Sequence, residues 1–195
     1  MDAALSLFMR QGFQNTSVRQ VAECAEVSEQ TIYNIFEDKI GLLRDSTAHY
    51  VEVQGSDADA GLLDALRSEP NPLKRIRIAA RDSRETWEST ALELELMVFH
   101  ANSSDPRLKD LERMGRQYKL EGALAVCELL FPDEVRRPDL SLEQIAELVT
   151  AIDSAATVTS LMETGWTMDQ WEGWVADFLN HFFDPTWLNE QGSAR

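Results

Sequence analysis

Residues Ser28 to Lys39 read SEQTIYNIFEDK, and the fold turns on this stretch. Ile32, Ile35 and Phe36 recur at the three-to-four-residue spacing of a helix whose apolar side meets a core. Ser28 stands where a helix N-cap is expected, because its hydroxyl can accept from a backbone N–H one turn on. The remaining positions, Gln30, Thr31, Tyr33 and Asn34, are short, uncharged hydrogen-bonding side chains. Solvated helix faces are more often coated with Lys and Glu.

Working outward, Thr16 and Ser17 can cap a preceding helix whose buried stripe is Val18, Val21, Ala22 and Ala25. Between the two helices lies a tight turn in which Val27 is expected to point inward. Ile32, Ile35 and Phe36 should then close a core against Ala4, Leu5 and Phe8 of the first helix, with small Ala22 allowing a close, steep crossing. The pattern predicts a three-helix unit with a helix-turn-helix, in which Glu29 to Ile35 is the recognition helix. Gln30 and Asn34 can meet the N6 and N7 edge of adenine, Thr31 offers a hydroxyl and a methyl, and the hydroxyl of Tyr33 can reach phosphate. Thr16 and Ser17 at a helix N-terminus, with Lys39, are candidates for holding flanking phosphates.

Composition narrows the rest. The chain has 195 residues, 44% hydrophobic and 27% charged, enough for one or two small domains with proper cores. No run of apolar residues is long enough for a membrane span, and no secretion signal is evident, so a cytoplasmic protein without a membrane partner is expected. Cys24 and Cys127 form no CxxC or Cys/His cluster, which predicts reduced core thiols and no metal. The net charge of −16 argues against nonspecific coating of nucleic acid.

Prolines at positions 70, 72, 106, 132, 138 and 185 punctuate an otherwise helical chain. Helices are predicted at 2–11, 17–25, 29–35, 39–53, 61–68, 72–88, 90–102, 106–131, 142–163 and 168–184. Gln54 to Ala60 reads as a linker and Asn189 to Arg195 as a loose tail. The fold class is all-α. An N-terminal helix-turn-helix domain, 1–46, is expected before a larger helical domain, 47–195, and the family resemblance that follows implies DNA binding for the first and ligand binding and dimerisation for the second.

The run AALSLFMRQGFQNTSVRQVAECAEVSEQTIYNIFEDKIGLL, Ala3 to Leu43, resembles the N-terminal signature of the TetR family of bacterial transcriptional regulators. The resemblance implies an all-helical homodimer that binds double-stranded operator DNA and releases it when a small molecule occupies the C-terminal domain. It puts groove-reading positions on Gln30, Thr31 and Asn34 and phosphate contacts on Thr16, Ser17, Tyr33 and Lys39. Arg19 is placed to reach the backbone or a base edge. Three features depart from the simple pattern. Glu26 occupies a turn position where Gly is common, and a left-handed conformation there costs about 1 kcal/mol. Residues 1–50 hold four Lys/Arg against seven Asp/Glu, a net −3. The chain also begins almost at the first helix, without the basic leader of many relatives, so either the start lies upstream or the dimer doubles the contacts.

For the dimer, a continuous helix over 142–163 would put Ile145, Val149, Ile152, Ala156 and Thr159 in one sector and Leu148, Ala151, Ala155, Val158 and Met162 in the next. The second sector, with Trp171, Trp174 and Phe178 of the following helix, is expected to form a four-helix bundle between subunits. For the effector, Glu93, Met97 and His100 share a face of a predicted helix and could line a mainly apolar cavity with Trp87, Tyr118 and Trp166. His49, His100 and His181 are scattered and no catalytic, nucleotide or metal motif occurs, so neither an enzyme nor a cofactor is expected. The acidic first fifty residues keep one alternative open, a helical dimer that binds protein or senses a ligand without binding DNA.

Overall fold

A computed structural model describes residues 1–50, 56–88 and 106–193. Its helices are α1 Asp2–Gln11, α2 Val18–Cys24, α3 Glu29–Phe36, α4 Lys39–Tyr50, α5 Ser56–Ser68, α6 Pro72–Glu88, α7 Pro106–Leu130, α8 Leu142–Ile152, α9 Ala155–Glu163, α10 Met168–Asn180 and α11 Pro185–Ser193. The architecture is all-α, as expected; extended pairing among the described residues is limited to an isolated bridge between Arg136 and Phe183. Two compact units can be distinguished, Met1–Ala58 with Thr90–Arg116, and Asp59–Ser89 with Gln117–Arg195.

In the first unit the helix ends are written into the side chains. Ser17 and Gln20 form a reciprocal capping box on α2, and Ser28 Oγ accepts from the backbone N–H of Thr31 at 3.0 Å to start α3. Asp38 Oδ1 accepts from Ile40 and Gly41 at 2.9 and 2.8 Å, starting α4. Glu26 does adopt the left-handed region, with φ 55°, and Glu37 does so at φ 65° where α3 stops. A Cβ at Gly41 would lie 2.0 Å from the backbone oxygen of Phe36, so only glycine lets α4 begin this close to α3. The core joins Leu5, Phe8, Val21, Ile32 and Leu42 with Leu111 from the start of α7. Arg107, also from α7, pairs with Asp38 at 2.8 Å.

Several core expectations fail in this unit, among them Ala25, which is exposed at the C-cap of α2. Val27 is 43% exposed, because the turn carries it outward, and Ile35 is 63% exposed. Ile32 fills the core and Phe36 is half-buried on one side of it, while Ile35 projects on the other side, about 100° around the helix from Phe36. Cys24 is exposed as well, whereas Cys127 is buried and its thiol is pushed up to about 12 by burial.

The second unit is built on α6 and α10. Arg84 of α6 pairs with Glu172 at 3.2 Å and with Asp169 at the start of α10, and Arg75 donates to the backbone oxygen of Leu129 at 2.6 Å. Phe131, Phe183, Ile145, Val158 and Trp171 are fully enclosed in its core. The predicted helix 142–163 is two helices, bent by 43°. Ser154 caps α9, and Asp153, at φ −79° and ψ 68°, interrupts the helix. No single helix among the described residues is long and apolar enough to cross a membrane. Residues 56–60, read as linker, are helical, and Pro185–Ser193, read in part as tail, is α11. The predicted helix 90–102 lies outside the described residues.

Candidate nucleic-acid interface

Helix α3 presents Gln30, Thr31, Tyr33, Asn34 and Ile35 to solvent while Ile32 anchors it to the core. The side chains on the outer face are already ordered among themselves. Gln30 Nε2 donates to Asn34 Oδ1 at 2.8 Å, one helical turn on, and Thr31 Oγ1 and Ser28 Oγ share a hydrogen bond of 2.8 Å. Tyr33, 43% exposed, flanks the amide pair. Thus the predicted reading residues come together on one face, and Ser28 serves them through the cap.

The predicted phosphate contacts divide. Ser17 is exposed at the N-terminus of α2, where its backbone N–H and hydroxyl engage Gln20 Oε1 at 2.8 and 3.0 Å. Thr16 is only 2% exposed; its hydroxyl donates to the backbone oxygen of Gly12 at 2.8 Å. It fastens the α1–α2 turn and is not on the surface, a correction to its expected phosphate role. Lys39 Nζ donates to the backbone oxygens of Phe13 and Thr16 at 2.7 and 2.8 Å and lies 4.3 Å from the centroid of the Phe13 ring. Burial holds its pKa below the ordinary lysine value. Lys39 is therefore first a staple between α4 and the α1–α2 turn. Arg19 is exposed and pairs with Glu23 at 2.9 Å, a hydrogen bond that raises its pKa and that an incoming phosphate would have to displace.

The family model for bacterial regulatory proteins of the tetR family matches residues 1–45. Residues 1–45 thus carry a domain of the tetR family. Over 56 residues it is 36% identical to the uncharacterized HTH-type transcriptional regulator YvkB of Bacillus subtilis (strain 168), a match that spans 29% of this chain and 30% of that relative. The fold resembles a protein of Saccharomonospora viridis solved in complex with choline and described as a transcriptional regulator, with TM-score 0.72, 18% identity and coverage of 94% of this chain and 95% of that one. It also resembles NalD, the secondary repressor of the MexAB-OprM multidrug efflux pump in Pseudomonas aeruginosa, with TM-score 0.66, 16% identity and coverage of 94% and 92%.

The residues expected to bind an effector are only partly among those described. Glu93, Met97 and His100 lie outside the described residues. Trp87 is buried, Tyr118 is 40% exposed, and Trp166 packs edge-on to Trp174 with centroids 6.5 Å apart. Trp87 belongs to a polar cluster that sequence spacing did not reveal. Its indole N–H donates to Asp153 Oδ1, which also accepts from Ser83 Oγ at 3.0 Å, and Trp171 Nε1 donates to Ser83 Oγ at 3.1 Å. Lys119 Nζ lies 4.9 Å from the centroid of the Trp87 ring. Burial pulls the Lys119 pKa down to about 8, against the opposing charge of Asp153. Burial likewise raises Asp153, against hydrogen bonds from Trp87 and Ser83 and the charge of Lys119. A groove of 720 Å³ is lined by Leu62, Ala65, Ile78, Arg77, Asp169 and Glu172 among others; of the predicted effector residues that are described, Trp87, Tyr118 and Trp166, none lines it.

The expected dimer face also needs revision. Ala155, Val158 and Trp171 are buried within the subunit at 6%, 0% and 0% exposure, because the bend at Asp153 turns α9 inward. Leu148 and Ala151 are exposed and Met162, Trp174 and Phe178 are half-buried. Trp174 stacks on Phe178 with centroids 5.5 Å apart, and Phe178 in turn meets Phe182 edge-on at 5.1 Å.

Proposed function

We propose that this chain is a homodimeric, cytoplasmic transcriptional regulator, a repressor that binds a pseudo-palindromic operator and is released by a small, mainly apolar effector. The observation that carries the reading is the outer face of α3: Gln30, Thr31 and Asn34, ordered by caps and by one another, stand exposed on a helix whose opposite side is anchored by Ile32. A capped helix of this kind fits the major groove and offers amide groups to base edges. A dimer places two such helices in successive grooves, which calls for half-sites one helical turn or more apart. The division near residue 46 between reading and sensing parts belongs to the same proposal.

Two similar proteins support the wider reading. NalD is named a repressor, and the Saccharomonospora viridis protein is solved with a small molecule. A gel shift against the DNA upstream of the protein's own gene tests the proposal. The wild type should bind, and Asn34→Ala should lose about 1 to 3 kcal/mol on the operator while binding random DNA unchanged. Equal losses on both DNAs would remove Asn34 from the reading face.

One alternative has a specific observation behind it. Residues 1–50 carry a net −3, Lys39 is engaged internally and Arg19 is paired with Glu23. These favour a helical dimer that binds protein without binding DNA. Absence of any shift at low salt would select it.

A further inference from the structure

Ile35 leaves 63% of its surface in solvent, on the same helix and beside the same face as Gln30, Thr31 and Asn34. At 100° per residue, Thr31 and Ile35 are neighbours one turn apart, as are Gln30 and Asn34. The outer side of α3 therefore carries two parallel strips. One is an amide strip, closed by the 2.8 Å hydrogen bond from Gln30 Nε2 to Asn34 Oδ1. The other bears methyl groups, since the hydroxyl of Thr31 is engaged with Ser28 Oγ at 2.8 Å and Ile35 has no polar atom.

Each strip has a defined complement in the major groove. With Asn34 Oδ1 and one Gln30 proton spent on each other, the pair still offers Gln30 Oε1 as acceptor and Asn34 Nδ2 as donor. Adenine presents the matching edge, an N6–H donor beside the N7 acceptor. Thymine, its partner, adds a C5-methyl group, the apolar feature of that groove. We propose that α3 reads A·T-containing half-sites in two registers at once, the amide strip on adenine and the Thr31–Ile35 strip on thymine C5-methyl groups, with Ile35 as a specificity-determining residue. This rests on the DNA-binding reading above. An exposed isoleucine is unfavourable in the free protein, and a thymine methyl covers it without requiring a hydrogen bond that the side chain cannot make.

The test uses the full chain. An operator is first selected from a pool of random duplex DNA, and each thymine in a half-site is then replaced in turn by deoxyuridine, which deletes the C5-methyl and leaves base pairing intact. At one or two positions per half-site the wild type should bind the deoxyuridine operator about 4-fold more weakly, the effect of burying one methyl group. Ile35→Ala, altered at a surface position, should keep its thermal unfolding midpoint and should bind the two operators equally. Such a cycle isolates the contact between Ile35 and the methyl group. If the operator is bound but no thymine position responds, or if Ile35→Ala keeps the full deoxyuridine penalty, Ile35 does not read thymine and the inference is wrong. A pool that enriches no sequence at all would overturn the DNA-binding reading and this inference with it, an outcome distinct from the other two.

Discussion

Lys39 shows how one residue can serve the fold where its position suggested a ligand contact. Two backbone oxygens, of Phe13 at 2.7 Å and Thr16 at 2.8 Å, take its ammonium protons, and the Phe13 ring lies beneath it. Lys39→Met keeps the stem and deletes the donors, so both carbonyls lose a charged partner. We expect a loss of about 1.5 to 3 kcal/mol in denaturant unfolding, with weaker binding to operator and random DNA alike because the α1–α2 turn loosens. A variant that weakens DNA binding at unchanged stability would restore the simple phosphate role. Lys119 presents the opposite case, a charge that burial makes unfavourable. Its pKa falls from 10.5 to about 8 on folding, so between those values the unfolded chain holds more protons than the folded one. Stability must therefore rise with pH across that window, by no more than about 3 kcal/mol. Denaturant titrations at several pH values should show the rise in the wild type and its loss in Lys119→Met. A wild type with no greater rise than the variant would mean that Lys119 stays solvated.

At the scale of the element, the caps made the reading head legible and tertiary contacts hid the rest. Ser17 and Ser28 announce α2 and α3 by chemistry that acts within one turn, and the spacing of Val18, Val21 and Ala22 names a buried side without further information. The exposure of Ile35 was not legible, because a periodic pattern does not tell the last core position from the first surface one. Nor was the break between α8 and α9. It involves no Pro or Gly; Asp153 is drawn toward Ser83 and Trp87 of α6, contacts 70 and 66 residues away in sequence. The start of α11 was readable after all, since Asp184 precedes Pro185 and its Oδ1 accepts from Thr186 at 2.6 Å. The break changes which substitutions test the dimer. Val158→Glu would bury a carboxylate in the subunit core and should unfold the second unit. Leu148→Glu, at a site 43% exposed, should leave helicity and melting intact and convert a dimer to monomers in sedimentation. A Leu148→Glu protein that stays dimeric would move the interface off this side of α8.

At the scale of the molecule, the proposed binding to a polyanion would have to proceed with little electrostatic help from a chain of net charge −16. Residues 1–50 supply four cationic side chains, Arg10, Arg19, Lys39 and Arg44. Lys39 is committed to the fold, and Arg19 and Arg44 reach phosphate only by leaving Glu23 and Asp45, their partners at 2.9 and 2.6 Å. Both pairs are exposed, so giving them up costs little. About three cations per subunit then remain for phosphate, and each releases roughly 0.9 of a counterion from duplex DNA. A dimer on a full operator should accordingly show a slope of log affinity against log salt no steeper than about −5. Random DNA, which offers the same phosphates without the base contacts of α3, should show a similar slope at far lower affinity, while a duplex with one half-site should lose most of the specific binding because the second head has nothing to read. Fluorescence anisotropy between 50 and 200 mM salt measures both quantities. A markedly steeper slope would mean that basic residues beyond position 50 touch the DNA, and that the reading head as drawn is only part of the interface.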